Sequence, residues 1–228
     1  MSRDLKELEG LIDYEFHNKE LLQTAMTHSS FANELKINKR ECNERLEFLG
    51  DAVLELVSSD MIFGQFPDMP EGKMSKLRAS LVCEPALYES AGDISLGEFV
   101  CLGKGEEAGG GRSKPSVVSD AFEALIGAVY LDGGIEPAKR IIMKHILSEA
   151  RIEGAKINDS KSLLQEIIQA KDKHGDIVYE VVEENGPEHA KEFVVRVLVG
   201  GEELGRGSGK NKKAAEKAAA YKAVINLE

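Results

Sequence analysis

Residues 43–57 read NERLEFLGDAVLELV. Wound into a helix of about 3.6 residues per turn, the stretch puts Glu44, Glu47 and Asp51 at i, i+3 and i+7, on one stripe. Most other positions are apolar, among them Leu46, Phe48, Leu49, Val53, Leu54 and Val57. A helix that is apolar nearly all round belongs in an interior. There, three like charges repel one another and lose hydration. Something positive must meet that stripe for the helix to be buried as its other faces demand.

A second acidic pair follows in SDAFEALIGAVYLDGG (119–134), where Asp120 and Glu123 stand at i and i+3 among Phe122, Ala124, Leu125, Ile126 and Val129. If the two helices pack together, Glu47, Asp51, Asp120 and Glu123 converge, with no Lys or Arg on either stripe. Acidic pairs at this spacing also occur as solvated helix faces, but here both carry apolar flanks. An all-carboxylate set suits Mg²⁺ or Mn²⁺ and not Zn²⁺, which prefers His and Cys. Hard cations on carboxylates serve phosphoryl chemistry, activating water and stabilising the leaving oxygen. No Ser/His/Asp or Cys/His grouping competes. His28, in MTHSS, reads as a packed or capping histidine. GSGKNKK (207–213) is not a nucleotide-binding loop, because Leu204 and Asn211 stand where the first Gly and the Ser/Thr are needed.

The 228 residues suffice for one large domain or two modest ones. Helical spacing or strong helix formers mark 4–9, 18–27, 43–64, 72–81, 84–92, 117–131 and 136–150. The Gly-rich 103–116 reads as a mobile loop, and 151–159 (RIEGAKIND), which lacks periodicity, as a linker. The pattern then changes: a helix over 160–171 capped by Ser160, Val- and Phe-rich strands at 177–184 and 191–199, a turn with a short third strand over 200–207, and an Ala-rich helix at 211–227. The longest apolar run, ALIGAVYL (124–131), is far shorter than the roughly 18 residues of a membrane span. The charged start MSRDLKELEG has no signal-peptide core. A cytoplasmic protein with no membrane partner is the expectation. Cys42, Cys83 and Cys101 show no C-x-x-C spacing, so neither a disulfide framework nor a zinc site is indicated.

Net charge is −11, unlike the basic footprint of most nucleic-acid binders. The distribution matters more. Residues 1–159 hold 18 basic and 28 acidic side chains, whereas 160–228 hold 11 and 12. Within the latter, GRGSGKNKKAAEK (205–217) carries five basic residues and one acidic. Lys210, Lys213 and Lys217 share a face at the start of the last helix, with Lys212 close by. Cations and free N–H groups at a helix N-terminus suit phosphates; alone, such a cluster also fits a plain soluble surface. Gln165 and Glu166 on the preceding helix and the GPEHA turn (186–190), with Pro187 and His189, could reach a minor groove. This spacing fits A-form duplex RNA, read by shape, 2′-hydroxyls and phosphates. Little aromatic interleaving argues against single strands.

These residues resemble a known family. ERLEFLGDA (44–52) looks like the signature of ribonuclease III, SDAFEALIGAVYLDGG its second acidic motif, and FPDMPEGKMSKLRASLV (66–82) its intervening segment. SKSLLQEIIQA, GPEHAKEFVV and GRGSGKNKKAAEKAAA resemble a double-stranded RNA-binding domain. The resemblance implies a mainly α N-terminal endonuclease domain (1–150), a linker (151–159) and a small α+β domain of α-β-β-β-α order (160–228). It implies an endoribonuclease that hydrolyses double-stranded RNA, leaving 5′-phosphate and 3′-hydroxyl ends with short 3′ overhangs, with a role in rRNA precursor processing. Asp51 and Glu123 match its catalytic pair; Glu47 and Asp120 complete the metal set for Mg²⁺, with Mn²⁺ as substitute. Glu44 and Glu71 match accessory acidic positions, Lys114 a basic residue near the catalytic loop, and Phe48 an aromatic plug in the partner of a homodimer. Gln165, His189, Lys210, Lys212, Lys213 and Lys217 fall in the RNA-binding motifs. Two other classes stay open on the residues: a non-catalytic RNA-binding scaffold, opposed by the intact carboxylates, and a phosphohydrolase of small nucleotides, opposed by the duplex-binding module.

Overall fold

The computed structural model describes residues 3–36, 41–170, 176–187 and 191–227. They fall into two compact units, Met1–Arg151 and Ile152–Glu228.

The first unit is helical: α1 (Leu5–Ile12), α2 (Lys19–Ala25), α3 (Ser29–Glu34), α4 (Glu44–Gln65), α5 (Glu71–Val82), α6 (Glu84–Asp93), α7 (Lys104–Ala108), α8 (Pro115–Gly133) and α9 (Ile135–His145). Helix α10 (Glu149–Ala170) begins here and continues into the second unit. Helix α8 is the axis of the core. Pro115 opens it, where a missing N–H costs nothing, and Gly134, at φ 84°, ends it. Ala121, Phe122 and every residue from Ala124 to Val129 are buried.

Helix α4 lies directly on α8, and two glycines set how closely. A Cβ at Gly50 would sit 1.8 Å from the Glu123 carbonyl oxygen; one at Gly127 would sit 2.2 Å from that of Leu46. The backbones therefore touch where each helix lacks a side chain. The contact explains why both sequences are apolar almost all round and still carry acids: the acids lie on stripes beside the crossing.

Segment 103–116, expected as a mobile loop, instead holds α7 and a 3₁₀ turn at Gly111–Ser113. The order comes from tertiary anchors: the Gly103 N–H donates to Ser30 Oγ at 3.0 Å and the Lys104 N–H to Glu34 at 2.6 Å. The Arg112 guanidinium donates to the carbonyls of Gly97, Glu98 and Val100 at 3.0–3.1 Å and pairs with both oxygens of Glu107 at 2.7 Å. Local glycine content understates order supplied from a distance. Helix α3 and the 3₁₀ turn Leu96–Phe99 were not anticipated either.

A buried carboxylate ties the N-terminal helices to the end of α8. Asp132, 2% exposed, accepts from the Tyr14 hydroxyl at 2.7 Å and from the N–H groups of His17 and Asn18 at 2.8 Å. Burial alone pushes the Asp132 carboxyl up, but the bonds from Asn18, Tyr14 and His17 outweigh it and hold it at about 2. Burial and the Asp132 charge push the Tyr14 phenol up to about 12. A depressed carboxyl contributes stability above its unfolded value and loses it as pH falls through the folded one. Asp132→Ala is expected to cost about 1–2 kcal/mol at neutral pH by removing the acceptor that the Tyr14 hydroxyl and the His17 and Asn18 N–H groups share. Urea unfolding checks this; a deficit under about 0.5 kcal/mol, or one that fails to shrink as pH approaches 2, contradicts the assignment.

In the second unit the strands β1 (Ile177–Asn185), β2 (Glu192–Val199) and β3 (Glu202–Gly209) form an antiparallel sheet in that order, followed by α11 (Lys212–Leu227). Strand alternation turns Val195, Val197 and Val199 inward, against Leu164 and Ile168 of α10 and Ala215, Ala219 and Ala223 of α11. Gly205, Gly207 and Gly209 alternate along β3; added Cβ atoms would stand 2.3–2.6 Å from backbone nitrogens or oxygens of Ala215 and Ala219. The GRGSG and Ala-rich sequences are thus two halves of one close packing, and this packing extends the third strand to Gly209.

Residues 151–159, expected as an irregular linker, are helical within α10. Ser160, expected as its N-cap, is mid-helix and buried; its hydroxyl donates to the carbonyls of Ile157 and Lys217 at 2.7 Å. RIEGAKIND lacks an apolar period of its own, so nothing local marks it as helical. Its polar side chains find tertiary partners instead, such as Asn158 with Lys217 at 2.8 Å. Among the described residues no helix is long and apolar enough to cross a membrane.

Candidate active site and nucleic-acid interface

The α4–α8 crossing brings Glu47, Asp120 and Glu123 together. One carboxylate oxygen from each lies within 4.8 Å of the others, and all three side chains are partly buried. None forms an ion pair among the described residues. Burial and the charges of Asp51, Asp120 and Glu47 push the Glu123 carboxyl up to about 8. Burial and Asp120, Glu44 and Asp51 raise Glu47. Burial and the Glu84 charge raise Asp120, which a charge on His28 would lower. Without a cation, Glu123 therefore holds a proton at neutral pH.

The donors fit a hard divalent cation. They are all oxygen, they are mutually repelling, and they lie within 4.8 Å of one another, near enough for one cation to draw them together. No thiol or imidazole belongs to the set.

Of the other acidic positions, Asp51 is exposed and stands outside the three-residue cluster, though its charge reaches Glu47 and Glu123. Exposed Glu44 is one turn before Glu47. Glu71, at the start of α5, accepts from its own Ser75 hydroxyl at 2.8 Å. Lys114 precedes α8 and pairs with Glu106 at 3.3 Å. Two charges near Asp120 were missed. Glu84 carries no local signal. His28 was read as capping, and it does cap α3 through Nδ1; its nearness to Asp120 depends on chain packing that no spacing reveals.

At the start of α11, Lys210, Lys212 and Lys213 are exposed. Asn211 caps the helix by accepting from the Ala214 N–H at 2.9 Å, so the Lys-bearing turn is held in place. Lys212 also pairs with Glu184 at 3.4 Å, and Lys217 turns to Asn158 at 2.8 Å. Gln165 is exposed on α10. His189 lies outside the described residues. On α4, Phe48 is 81% exposed, Phe63 74% and Leu56 61%, an unusual apolar face.

Residues 18–150 match the family profile described as ribonuclease-III-like, and 160–227 match the double-stranded RNA binding motif. Ribonuclease 3 of Geobacillus kaustophilus is 50% identical over 97% of this chain and 90% of its own length. Ribonuclease 3 of Caldanaerobacter subterraneus subsp. tengcongensis is 50% identical over 96% of each chain. The solved nuclease domain of ribonuclease III from Campylobacter jejuni, 45% identical, superposes with a TM-score of 0.58, covering 64% of this chain and all of that one. With its carboxylates converging in the first unit and a duplex-binding fold in the second, the chain belongs to the ribonuclease III family.

Proposed function

We infer that this chain is an endoribonuclease that hydrolyses phosphodiester bonds of double-stranded RNA, leaving 5′-phosphate and 3′-hydroxyl ends with short 3′ overhangs. The observation that carries the reading is the convergence of Glu47, Asp120 and Glu123, from two helices, in a ribonuclease-III-like unit. Mg²⁺ is the proposed cofactor, with Mn²⁺ able to replace it. When bound, the cation offsets negative charge building on the scissile phosphate and eases deprotonation of the attacking water. Glu47, Asp120 and Glu123 would hold it; Glu123 must release its proton to do so. Exposed Asp51, at the solvent edge, would face the attacking water, and together with Glu123 forms the proposed catalytic pair. Glu44 and Glu71 are proposed as accessory acids on the RNA side.

Gln165, His189, Lys210, Lys212, Lys213 and Lys217 are the proposed RNA contacts. Lys212→Ala combined with Lys213→Ala is expected to weaken duplex binding and to reduce the slope of log K against log salt by about one to two. Filter binding across a salt series checks this, and an unchanged slope moves the phosphate contacts elsewhere.

Phe48, Leu56 and Phe63 support a homodimer, since one small unit leaves this face bare. Such a pair would set two sites on one duplex. Dimer formation is also named for a region of the Campylobacter jejuni nuclease domain. A cytoplasmic location and a part in rRNA precursor processing complete the reading. The test is cleavage of an end-labelled RNA duplex with Mg²⁺ and with EDTA, beside its single strands and the same sequence as DNA. Mg²⁺-dependent cutting of the RNA duplex alone is expected; binding without cutting under any divalent metal overturns it.

A further inference from the structure

Three exposed lysines open α11, and one of them is tied down. Lys210 and Lys213 form no ion pair among the described residues. Lys212 does: its Nζ lies 3.4 Å from the Glu184 carboxylate of β1 and 5.7 Å from the centroid of the Phe193 ring on β2. Glu184 and Phe193 stand opposite each other in the strand register, so the sheet presents carboxylate and ring side by side. The same carboxylate also takes Lys191, at 3.6 Å. Asn211 fixes the backbone of the turn through the Ala214 N–H. Backbone and ammonium of Lys212 are therefore both held.

The Glu184 side chain is 41% exposed, so burial does not demand these partners. Exposed ion pairs add little stability. An acid among proposed phosphate contacts also repels a polyanion. A repulsive element on a binding surface makes physical sense where it discriminates between partners. The Lys212 ammonium has three N–H donors, and Glu184 takes one. The others can meet a phosphate where the ammonium already stands. A duplex whose phosphate falls there keeps the pair and gains a preorganised contact. A duplex whose phosphate falls elsewhere must pull Lys212 away and face a bare carboxylate. A-form RNA and B-form DNA differ in groove shape, and so in where their phosphates fall.

We propose that Glu184 is a positioning residue for Lys212 and that, through Lys212, it sets a preference for A-form RNA duplex over B-form DNA duplex. This rests on the reading of Lys212 as an RNA contact.

The full chain is titrated in EDTA, without divalent metal, with an RNA duplex and a DNA duplex of the same sequence and length. The readout is the Kd for DNA divided by the Kd for RNA. Glu184→Gln is expected to melt within about 2 °C of wild type and to lower that ratio about three- to fivefold, the range an exposed ion pair can carry. Added to Lys212→Ala, the same substitution is expected to leave the ratio unchanged, because Glu184 acts through Lys212. Equal tightening of both duplexes by Glu184→Gln, with the ratio as in wild type, reduces Glu184 to bulk charge and overturns the proposal. A ratio that falls by the same factor with and without Lys212 also overturns it. Should Glu184→Gln melt well below wild type, Glu184→Asp decides. It keeps the charge on a side chain one carbon shorter, so a lowered ratio supports the positioning role and an unchanged one overturns it. A failure of the underlying reading looks different: Lys212→Ala would then bind the RNA duplex as tightly as wild type does.

Discussion

Glu123→Gln is expected to lower the rate of duplex cleavage by on the order of 100-fold or more while leaving duplex binding within about threefold. The substitution keeps volume and hydrogen-bonding capacity but removes the negative charge that a cation needs. Binding survives because the proposed phosphate contacts lie at the start of α11. Single-turnover cleavage and filter binding on the same preparation check both halves. Cleavage at the wild-type rate would remove Glu123 from the site.

The same variant has a stability signature. Burial and the charges of Asp51, Asp120 and Glu47 hold the Glu123 carboxyl at about 8, above its unfolded value of 4.5. Between those limits the folded protein binds the extra proton, so metal-free stability falls as pH rises through that window. Glutamine has no proton to lose. Metal-free Glu123→Gln is therefore expected to match wild type at low pH and to melt above it at pH near 9.

Gly50→Ala is expected to be the most damaging single methyl group in the first unit. Its Cβ would meet the Glu123 carbonyl oxygen at 1.8 Å, and that neighbour is backbone, not a side chain that can swing away. Helix α8 must move by more than an ångström, at a cost of about 3 kcal/mol or more. A displacement of that size also spreads the carboxylates, and misplacement by about 1 Å can lower a rate about 100-fold. Thermal melting and residual cleavage per folded molecule check the two effects. A melting temperature within about 2 °C of wild type would show that the crossing can relax.

Much of this site is legible in the chain because helices convert spacing directly into geometry. Glu47 with Asp51, and Asp120 with Glu123, can be put on stripes from periodicity alone. Their apolar flanks show that the stripes face an interior. What periodicity cannot supply is the distance between helices. That is set by Gly50 and Gly127, whose role appears only where two backbones meet. Asp51 shows the same limit in reverse: it shares the stripe with Glu47 yet ends exposed at the edge of the cluster, because four residues along a helix is also about one turn, roughly 6 Å, of rise. The loop at 103–116 and the helix through 151–159 were misread for a common reason. Their order comes from Arg112 and from partners such as Lys217, far away in sequence, while local composition speaks only for local preference. In the second unit, strand alternation placed β2 well, but the length of β3 depends on glycines packing beneath α11.

The measurement closest to the central claim is Mn²⁺ affinity of the full chain at about pH 6 and about pH 8, for wild type and Glu123→Gln. Glu47, Asp120 and Glu123 hold one cation only if Glu123 gives up the proton that burial and its neighbours impose. Wild-type affinity is then expected to rise at least about tenfold between the two values, and Glu123→Gln is expected to bind weakly at both with little dependence on pH. Equal, pH-independent affinity in the two proteins would place the cation elsewhere and leave the partly buried carboxylates of α4 and α8 without the charge that explains them.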